Sequence, residues 1–197
     1  SEFIKSETYK SLKQLDTKIT LVKGVILDEE TSNKYFFYAK SSIGISLAHR
    51  KVWKLINKNY KINKIKNHQV KNNSESYQIN NWSLIFEDDV QISSNDTLKE
   101  LNKIINKLDK EQNNNEQNNK EQNDKENSKI DIYKLHSDFN NGFTSLAAYL
   151  VNNETISELI NSHKILLGHV DFDLNLLNLL KKINIRTHEK NLFLTDE

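Results

Sequence analysis

Residues 82–90 read Trp-Ser-Leu-Ile-Phe-Glu-Asp-Asp-Val, an apolar run followed by an acidic one. Its first part, Trp82–Phe86, is a nearly continuous apolar run, which is typical of a β-strand buried on both faces. Three consecutive carboxylates, Glu87, Asp88 and Asp89, follow directly. Because ligands of open α/β sheets bind beyond the carboxyl ends of the strands, the stretch predicts a buried strand with a polar site at its end.

Helix and strand patterns alternate on both sides of this strand. Apolar residues recur at three- and four-residue steps over residues 46–57, and a capping box at residues 97–100 opens a predicted helix over 98–108. Further strands are expected at residues 130–135, 143–151 and 183–188. A second capping box at residues 155–158 predicts a helix that continues through residue 160, and residues 172–183 predict a well-buried helix. The alternation predicts an α/β domain over residues 4–197, with a mostly parallel sheet flanked by helices.

Two polar stretches interrupt these patterns. Residues 110–128 read KEQNNNEQNNKEQNDKENS and contain no apolar side chain, so they predict a mobile insertion within the single domain. Residues 57–81 are rich in Lys, with isolated apolar residues, and predict a solvated connector with at most a short regular element.

The composition excludes several classes of function. The chain has 28 basic and 27 acidic side chains, so its net charge of +1 gives no general attraction to nucleic acid or to an anionic membrane. No apolar run is long enough for a transmembrane segment. The chain has no Cys, which leaves carboxylates and His for metal or acid–base chemistry and is compatible with a reducing compartment. We therefore expect a soluble, cytoplasmic protein.

The acidic run is the strongest chemical signal in the chain. Alternation along an extended strand points Glu87 and Asp89 to one side and Asp88 to the other, so Glu87 and Asp89 are the predicted metal ligands. Repulsion among three carboxylates favours a bound hard cation, Mn²⁺ or Mg²⁺, that keeps open positions for substrate phosphates. The alternative is a solvated acidic turn ahead of the next helix.

A resemblance to a known family rests on two motifs. Residues 44–53, Gly-Ile-Ser-Leu-Ala-His-Arg-Lys-Val-Trp, followed by residues 82–90, resemble the paired signature of family 25 glycosyltransferases, the lipooligosaccharide and collagen galactosyltransferase group. In that family a glycine-led helix with a His, a basic residue and an aromatic residue precedes a hydrophobic strand that ends in Glu-Asp-Asp. Weaker similarity continues through residues 147–151, 170–171 and 191–193.

The resemblance implies a GT-A-type fold and a metal-dependent inverting transfer of a sugar from a nucleotide diphosphate to an acceptor hydroxyl. It implies that Glu87 and Asp89 bind the metal and that His49, Arg50 and Asp88 contact the nucleotide. The expected partners are a nucleotide-sugar donor, with a UDP-sugar first, and a glycan or hydroxylated protein as acceptor.

Each of the remaining candidates also has an ordinary structural explanation. By the resemblance, Asp171 is the base that takes the proton of the acceptor hydroxyl, or a contact of the acceptor, whereas capping of the next helix by Asp171 or Asp173 is the alternative. A buried hydrogen-bonding side chain and an exposed helix charge are the alternatives for His49 and Arg50. The other candidate metal ligands are His169 and His188.

Two other functions stay open from the sequence. The same carboxylates suit a Mg²⁺-dependent phosphoryl-transfer or phosphohydrolase enzyme, and the chain also suits a non-catalytic binding module that resembles a glycosyltransferase. The family normally opens with an Ile-Asn-Leu-like strand and an Arg, which residues 4–15 do not have. Either that strand lies upstream of these residues, or the nucleotide pocket of this protein differs from that of the family.

Overall fold

The structure is a computed structural model that describes residues 9–10, 19–28, 40–70, 81–87, 90–94, 96–118, 129–136, 146–163 and 169–195, without the side chains of residues 40, 68–70 and 113–118. The helices and strands in chain order are α1 (Lys40–Val70), β1 (Trp82–Phe86), β2 (Val90–Ile92), α2 (Thr97–Asn118), β3 (Ile132–Lys134), β4 (Ala148–Asn152), α3 (Ile156–Ser162), α4 (Val170–Leu179), β5 (Ile185–Thr187) and β6 (Phe193–Thr195). The predicted mixed α/β character is confirmed.

The chain divides into two compact units. The first comprises residues 1–21, 84–150 and 184–197, and the second comprises residues 22–83 and 151–183. Neither unit is a continuous stretch of sequence, because the chain enters each of them more than once. The single domain over residues 4–197 stays a prediction.

The strands form a four-stranded sheet in the order β1-β4-β3-β5 and a two-stranded sheet of β2 and β6. Strands β3 and β5 are parallel, with Ile132 opposite Ile185. Strands β1 and β4 run in opposite directions, because the residue after β1, Glu87, donates its backbone N–H to the carbonyl of Ala147, the residue before β4 (2.9 Å). The residue after β3, Leu135, likewise donates its backbone N–H to the carbonyl of the first residue of β4, Ala148 (2.9 Å), so β4 runs opposite to both β1 and β3. The sheet is therefore mixed, with three of its four described strands, β1, β3 and β5, in one direction.

Strand β4 is the most buried element of the sheet. Ala148, Tyr149 and Leu150 are each at most 1% exposed. A strand with neighbours on both sides and covered faces needs a continuous apolar run, and residues 146–151 supply one. The strand predicted at residues 143–151 is thus confirmed at 148–152.

Helix α2 extends ten residues beyond its predicted end, because it ends at Asn118 and not at residue 108. Residues 110–118 of the predicted mobile insertion are therefore helical, and residues 119–128 lie outside the described residues. Gln112 is buried, and the Glu111 carboxylate pairs with Arg186 at 3.1 Å. Residues 110–118 contain Lys, Glu and Gln, which are good helix formers, but also four Asn, which are weaker ones. The helix continues through them because each added residue extends a helix that is already nucleated.

Neither predicted capping box forms, although both predicted helices do. The Thr97 hydroxyl accepts the Ser94 backbone N–H (3.2 Å) and donates to the Leu192 carbonyl (3.2 Å). The carboxylate of Glu100 accepts from Lys103 instead of reaching back along the chain. At the start of α3, the side chain of Thr155 makes no capping hydrogen bond.

Helix α1, in the second unit, spans 31 residues and packs against α3 and α4. It extends through residues 57–70, so the connector predicted at 57–81 is wrong over that range. Ile62 and Ile65 are exposed on it, which shows that this end of the helix is solvated on the side they occupy. No Gly or Pro follows Gly44 in the helix, so the helix propagates through its polar part.

Helix α4 is less buried than its apolar sequence predicts. It spans Val170–Leu179, and its buried residues are Val170, Asp173 and Leu174. Phe172 is 42% exposed and Leu179 is 78% exposed, so the prediction of a well-buried helix is wrong. Apolar residues around the whole circumference permit burial, but burial also needs neighbours on every side. No helix in the described parts of the chain has the length and apolar content needed to cross a membrane.

Gly44 lies where α1 passes close to the backbone of Val25, which belongs to no helix or strand. A Cβ atom built on Gly44 would lie 2.6 Å from the backbone oxygen of Val25, a distance that requires one of the two backbones to move. A Cβ atom built on Gly24, in contrast, meets nothing within 4 Å. The position therefore needs glycine because of a close approach between two backbones.

We expect Gly44→Ala to destabilise the protein by about 1–3 kcal/mol, which is typical of overpacking. Alanine is favoured over glycine inside a helix by about 1 kcal/mol, so a net loss requires the contact with Val25 to outweigh helix propensity. Urea unfolding of both variants provides the measurement, with Gly24→Ala as the matched control within about 0.5 kcal/mol of wild type. Equal stability of the two variants would contradict the close approach.

Candidate active site

Of the three consecutive carboxylates at residues 87–89, the structure describes Glu87. It directly follows β1, its backbone N–H is bonded to Ala147, and its carbonyl accepts from the Val90 N–H (3.4 Å). These bonds hold Glu87 in a tight connection between β1 and β2, at the carboxyl end of a sheet strand as predicted. Asp88 and Asp89 lie outside the described residues, so their predicted roles rest on the sequence.

The metal prediction gains no support from the described side chains alone. Within them, no group of three His, Asp or Glu residues is arranged to hold a metal ion. Of the two predicted metal ligands, Glu87 is described by the structure and Asp89 is not. The Glu87 carboxylate is a hard oxygen donor, which fits Mn²⁺ or Mg²⁺.

His49 and Arg50 lie on α1, in the second unit. His49 is 5% exposed, and its ring centroid is 6.3 Å from that of Trp53, which is fully buried. Trp53 in turn meets the His163 ring edge to face at a centroid distance of 5.3 Å. His49 therefore belongs to a buried aromatic cluster, whereas Arg50 is partly exposed. Their roles at a nucleotide stay predictions.

Asp171 lies in the first turn of α4, but it is not the cap. The N-cap is His169, whose Nδ1 accepts the Asp171 backbone N–H at 3.4 Å. The Asp171 carboxylate oxygen Oδ2 is 3.3 Å from the same nitrogen, and its side chain is 18% exposed. An unprotonated Nδ1 can accept a hydrogen bond from the Asp171 backbone N–H, whereas a protonated Nδ1 can donate one to the Asp171 carboxylate. The nitrogen therefore cannot make both hydrogen bonds at the same time. The alternative interpretation of Asp171 or Asp173 as the helix cap is wrong, because His169 is the N-cap.

Asp173 and His163 form a buried pair that no sequence motif indicated. His163 Nε2 lies 3.2 Å from Asp173 Oδ2, and the two side chains are 0% and 3% exposed. A carboxylate is rarely buried without a partner of opposite charge or a hydrogen-bond donor. The pair joins the helix that ends at Ser162 to α4, so Asp173 has a structural role within the second unit.

His188, the other candidate metal ligand, pairs with a tyrosine. Its Nδ1 lies 3.2 Å from the Tyr133 hydroxyl, and its backbone N–H donates to the Lys134 carbonyl (2.9 Å). Burial lowers the pKa of His188 below 6.5 and raises the pKa of Tyr133 above 10.0. Burial thus favours the neutral form of each ring. A cavity of about 410 Å³ beside His188 is lined by Ser94, Asp96, Thr97, Glu100, His188, Glu189, Lys190 and Leu192.

Comparison of the chain with protein-family profiles, with curated proteins and with solved structures gives no match.

The neutral state of His188 predicts a specific dependence of stability on pH. Its folded-state pKa is below 6.5, so between that pKa and 6.5 the unfolded chain binds more protons than the folded chain. The stability that His188 contributes is therefore full above pH 6.5 and declines as the pH falls toward the folded-state pKa. We expect His188→Asn to show a smaller loss of Tm than wild type between about pH 7 and pH 5.

The matched control is Tyr133→Phe, which removes the hydroxyl partner but keeps the titrating ring and so retains the wild-type decline. Differential scanning fluorimetry across this pH range provides the comparison. Parallel Tm profiles for wild type and His188→Asn would contradict the assignment.

Proposed function

We propose that this protein is a metal-dependent inverting glycosyltransferase of the family 25 type, which moves a sugar from a nucleotide diphosphate to an acceptor hydroxyl. The observation that carries the proposal is the position of Glu87, the first residue beyond a sheet strand that ends where the Glu-Asp-Asp run begins. This is the place where α/β proteins bind ligands, and the resemblance gives the same place to the metal and the diphosphate.

In this proposal, the carboxylates of Glu87 and Asp89 hold Mn²⁺ or Mg²⁺, and Asp88, His49 and Arg50 contact the nucleotide. A divalent cation at this position supplies charge stabilisation to the leaving diphosphate. The donor is a UDP-sugar, and the acceptor is a hydroxyl of a glycan or a hydroxylated protein.

Inverting transfer also needs a base for the acceptor hydroxyl, and we assign this role to Asp171. Its carboxylate takes the proton as the hydroxyl oxygen attacks the anomeric carbon and the bond from that carbon to the diphosphate breaks. The side chain is 18% exposed as a whole, and its Oδ1 atom is buried without a hydrogen-bond partner among the described residues. The helix that carries it is capped by His169, and a substitution of Asp171 leaves that cap side chain in place.

A second candidate is a non-catalytic, glycosyltransferase-like binding module. The observation that favours it is the burial of His49 against Trp53, because a side chain that is 5% exposed in a packed cluster is occupied by the fold. In this candidate the acidic run binds metal and nucleotide without transfer.

The test is a screen of UDP-sugars for Mn²⁺-dependent release of UDP, which needs no acceptor. We expect wild type to release UDP from one sugar class and Asp89→Asn to lose this activity and the binding of Mn²⁺ with UDP. Glu158→Gln, which neutralises an exposed carboxylate on α3, is the charge-matched control and should behave as wild type.

Three results would contradict the proposal in different ways. Release of inorganic phosphate from nucleotides or phosphate monoesters would identify the phosphohydrolase alternative. Binding of Mn²⁺ and UDP without sugar release, also with hydroxylated peptides and oligosaccharides present, would identify the binding module. Wild-type UDP release by Asp89→Asn would reject the acidic run as the metal site.

The role of Asp171 is tested by Asp171→Ser. Because His169 is the cap, we expect this variant to unfold within about 1 kcal/mol of wild type and to bind UDP with Mn²⁺ normally. Transfer to an acceptor should fall by about a hundredfold or more, since the base is lost. Near-wild-type transfer would remove Asp171 from the reaction, and a large loss of stability would show that it supports the helix.

A further inference from the structure

His136 is a buried histidine that the sequence analysis did not single out. It follows β3 by two residues and is 5% exposed. Its Nδ1 lies 2.7 Å from the backbone oxygen of Phe193. A carbonyl oxygen only accepts hydrogen bonds, so Nδ1 must carry the proton, and in the neutral ring Nε2 keeps its lone pair.

The other ring nitrogen, Nε2, is buried, and no hydrogen-bond partner for it exists among the described residues. A buried polar atom without a partner is costly, and such an atom in a folded protein calls for an explanation. Histidines that bind metals have this arrangement: one nitrogen donates to a backbone carbonyl, which fixes the ring and directs the lone pair of the other nitrogen toward the ion.

His136 also lies at the same end of the sheet as Glu87. The Glu87 N–H donates to the Ala147 carbonyl, and the Leu135 N–H donates to the carbonyl of the next residue, Ala148 (both 2.9 Å). Glu87 and Leu135 are thus on either side of the first residues of β4. With strands about 4.8 Å apart, their backbones are separated by about 10 Å, a distance that two side chains can bridge through one shared ion.

The anchor of His136 is connected to the same strand. The ring of Phe193, whose carbonyl holds His136, stacks on the ring of Phe86, the last residue of β1, at a centroid distance of 6.5 Å and an interplanar angle of 12°. The residue before Glu87 and the residue that orients His136 are therefore packed against each other. One local structure fixes the backbone of both.

We propose that Nε2 of His136 is a ligand of the divalent cation that Glu87 binds. The inference rests on the metal site of the proposed function and deepens it, because an imidazole ligand selects among cations. Mg²⁺ and Ca²⁺ prefer oxygen ligands only, whereas first-row transition metals accept imidazole nitrogen. The cation of this site is then Mn²⁺ in preference to Mg²⁺.

Pulsed EPR of Mn²⁺ bound to the protein tests the proposal without any activity assay. With ¹⁵N-labelled histidine, wild type should show hyperfine coupling from one directly bound nitrogen. The coupling should vanish in His136→Asn, whose amide nitrogen can still donate to the Phe193 carbonyl but which has no atom in place of Nε2. The control His188→Asn should keep the coupling.

Calorimetric titration of the same proteins provides the second measurement. We expect His136→Asn to lose at least about tenfold in Mn²⁺ affinity while its much weaker Mg²⁺ affinity changes less. The wild-type EPR spectrum tests the assignment even if His136→Asn fails to fold, because a spectrum without nitrogen coupling overturns it.

The outcomes separate this inference from the proposed function. If wild type binds Mn²⁺ and Asp89→Asn does not, but His136→Asn binds as wild type does, His136 is only structural and the acidic site stands. If the coupling vanishes in His188→Asn instead, the nitrogen ligand is His188 and the inference is wrong. If wild type binds no Mn²⁺, both proposals fail.

Discussion

The first unit depends on the backbone of Leu192, which joins three parts of the chain that are far apart in sequence. Its N–H donates to the carbonyl of Leu135 (3.0 Å), next to the end of β3. Its carbonyl accepts from the Ser93 N–H (3.1 Å) and from the Thr97 hydroxyl (3.2 Å), which hold β2 and the start of α2. Thr97 is fully buried, so its hydroxyl must find a partner inside the protein, and Leu192 supplies it.

Phe193, the residue after Leu192, connects this hydrogen-bond network to the end of β1 that precedes Glu87. Phe193 stacks on Phe86 and accepts a hydrogen bond from His136, so one residue is packed against the strand that precedes Glu87 and fixes a buried imidazole. A binding site must be held in place by residues whose own positions are fixed by packing and hydrogen bonds. The contacts of Phe193 provide such support at the end of β1, and the proposed function and the proposed role of His136 both depend on it.

The local pattern of the sequence predicted the strand Trp82–Phe86 residue for residue, because an apolar run with carboxylates after it has a clear end. It failed over residues 57–70, where the absence of helix breakers decides the structure and hydrophobic periodicity does not. Thr155 shows a different limit, since a capping motif gives the helix but not the hydrogen bond. His136 could not be found at all, because its significance comes from Phe193, which is distant in sequence and meets it only in the fold.

We propose that Glu87 and the carboxylates that follow it bind a divalent cation together with a nucleotide diphosphate. If both bind at one place, each must raise the affinity of the other by the same factor, because coupling between two ligands is reciprocal. The most direct measurement is calorimetric titration of the wild-type chain with Mn²⁺, with and without saturating UDP, and of UDP with and without Mn²⁺. We predict that each ligand tightens the other by the same factor of about ten or more. Mn²⁺ binding that is unchanged by UDP, or no Mn²⁺ binding in either titration, would contradict the account.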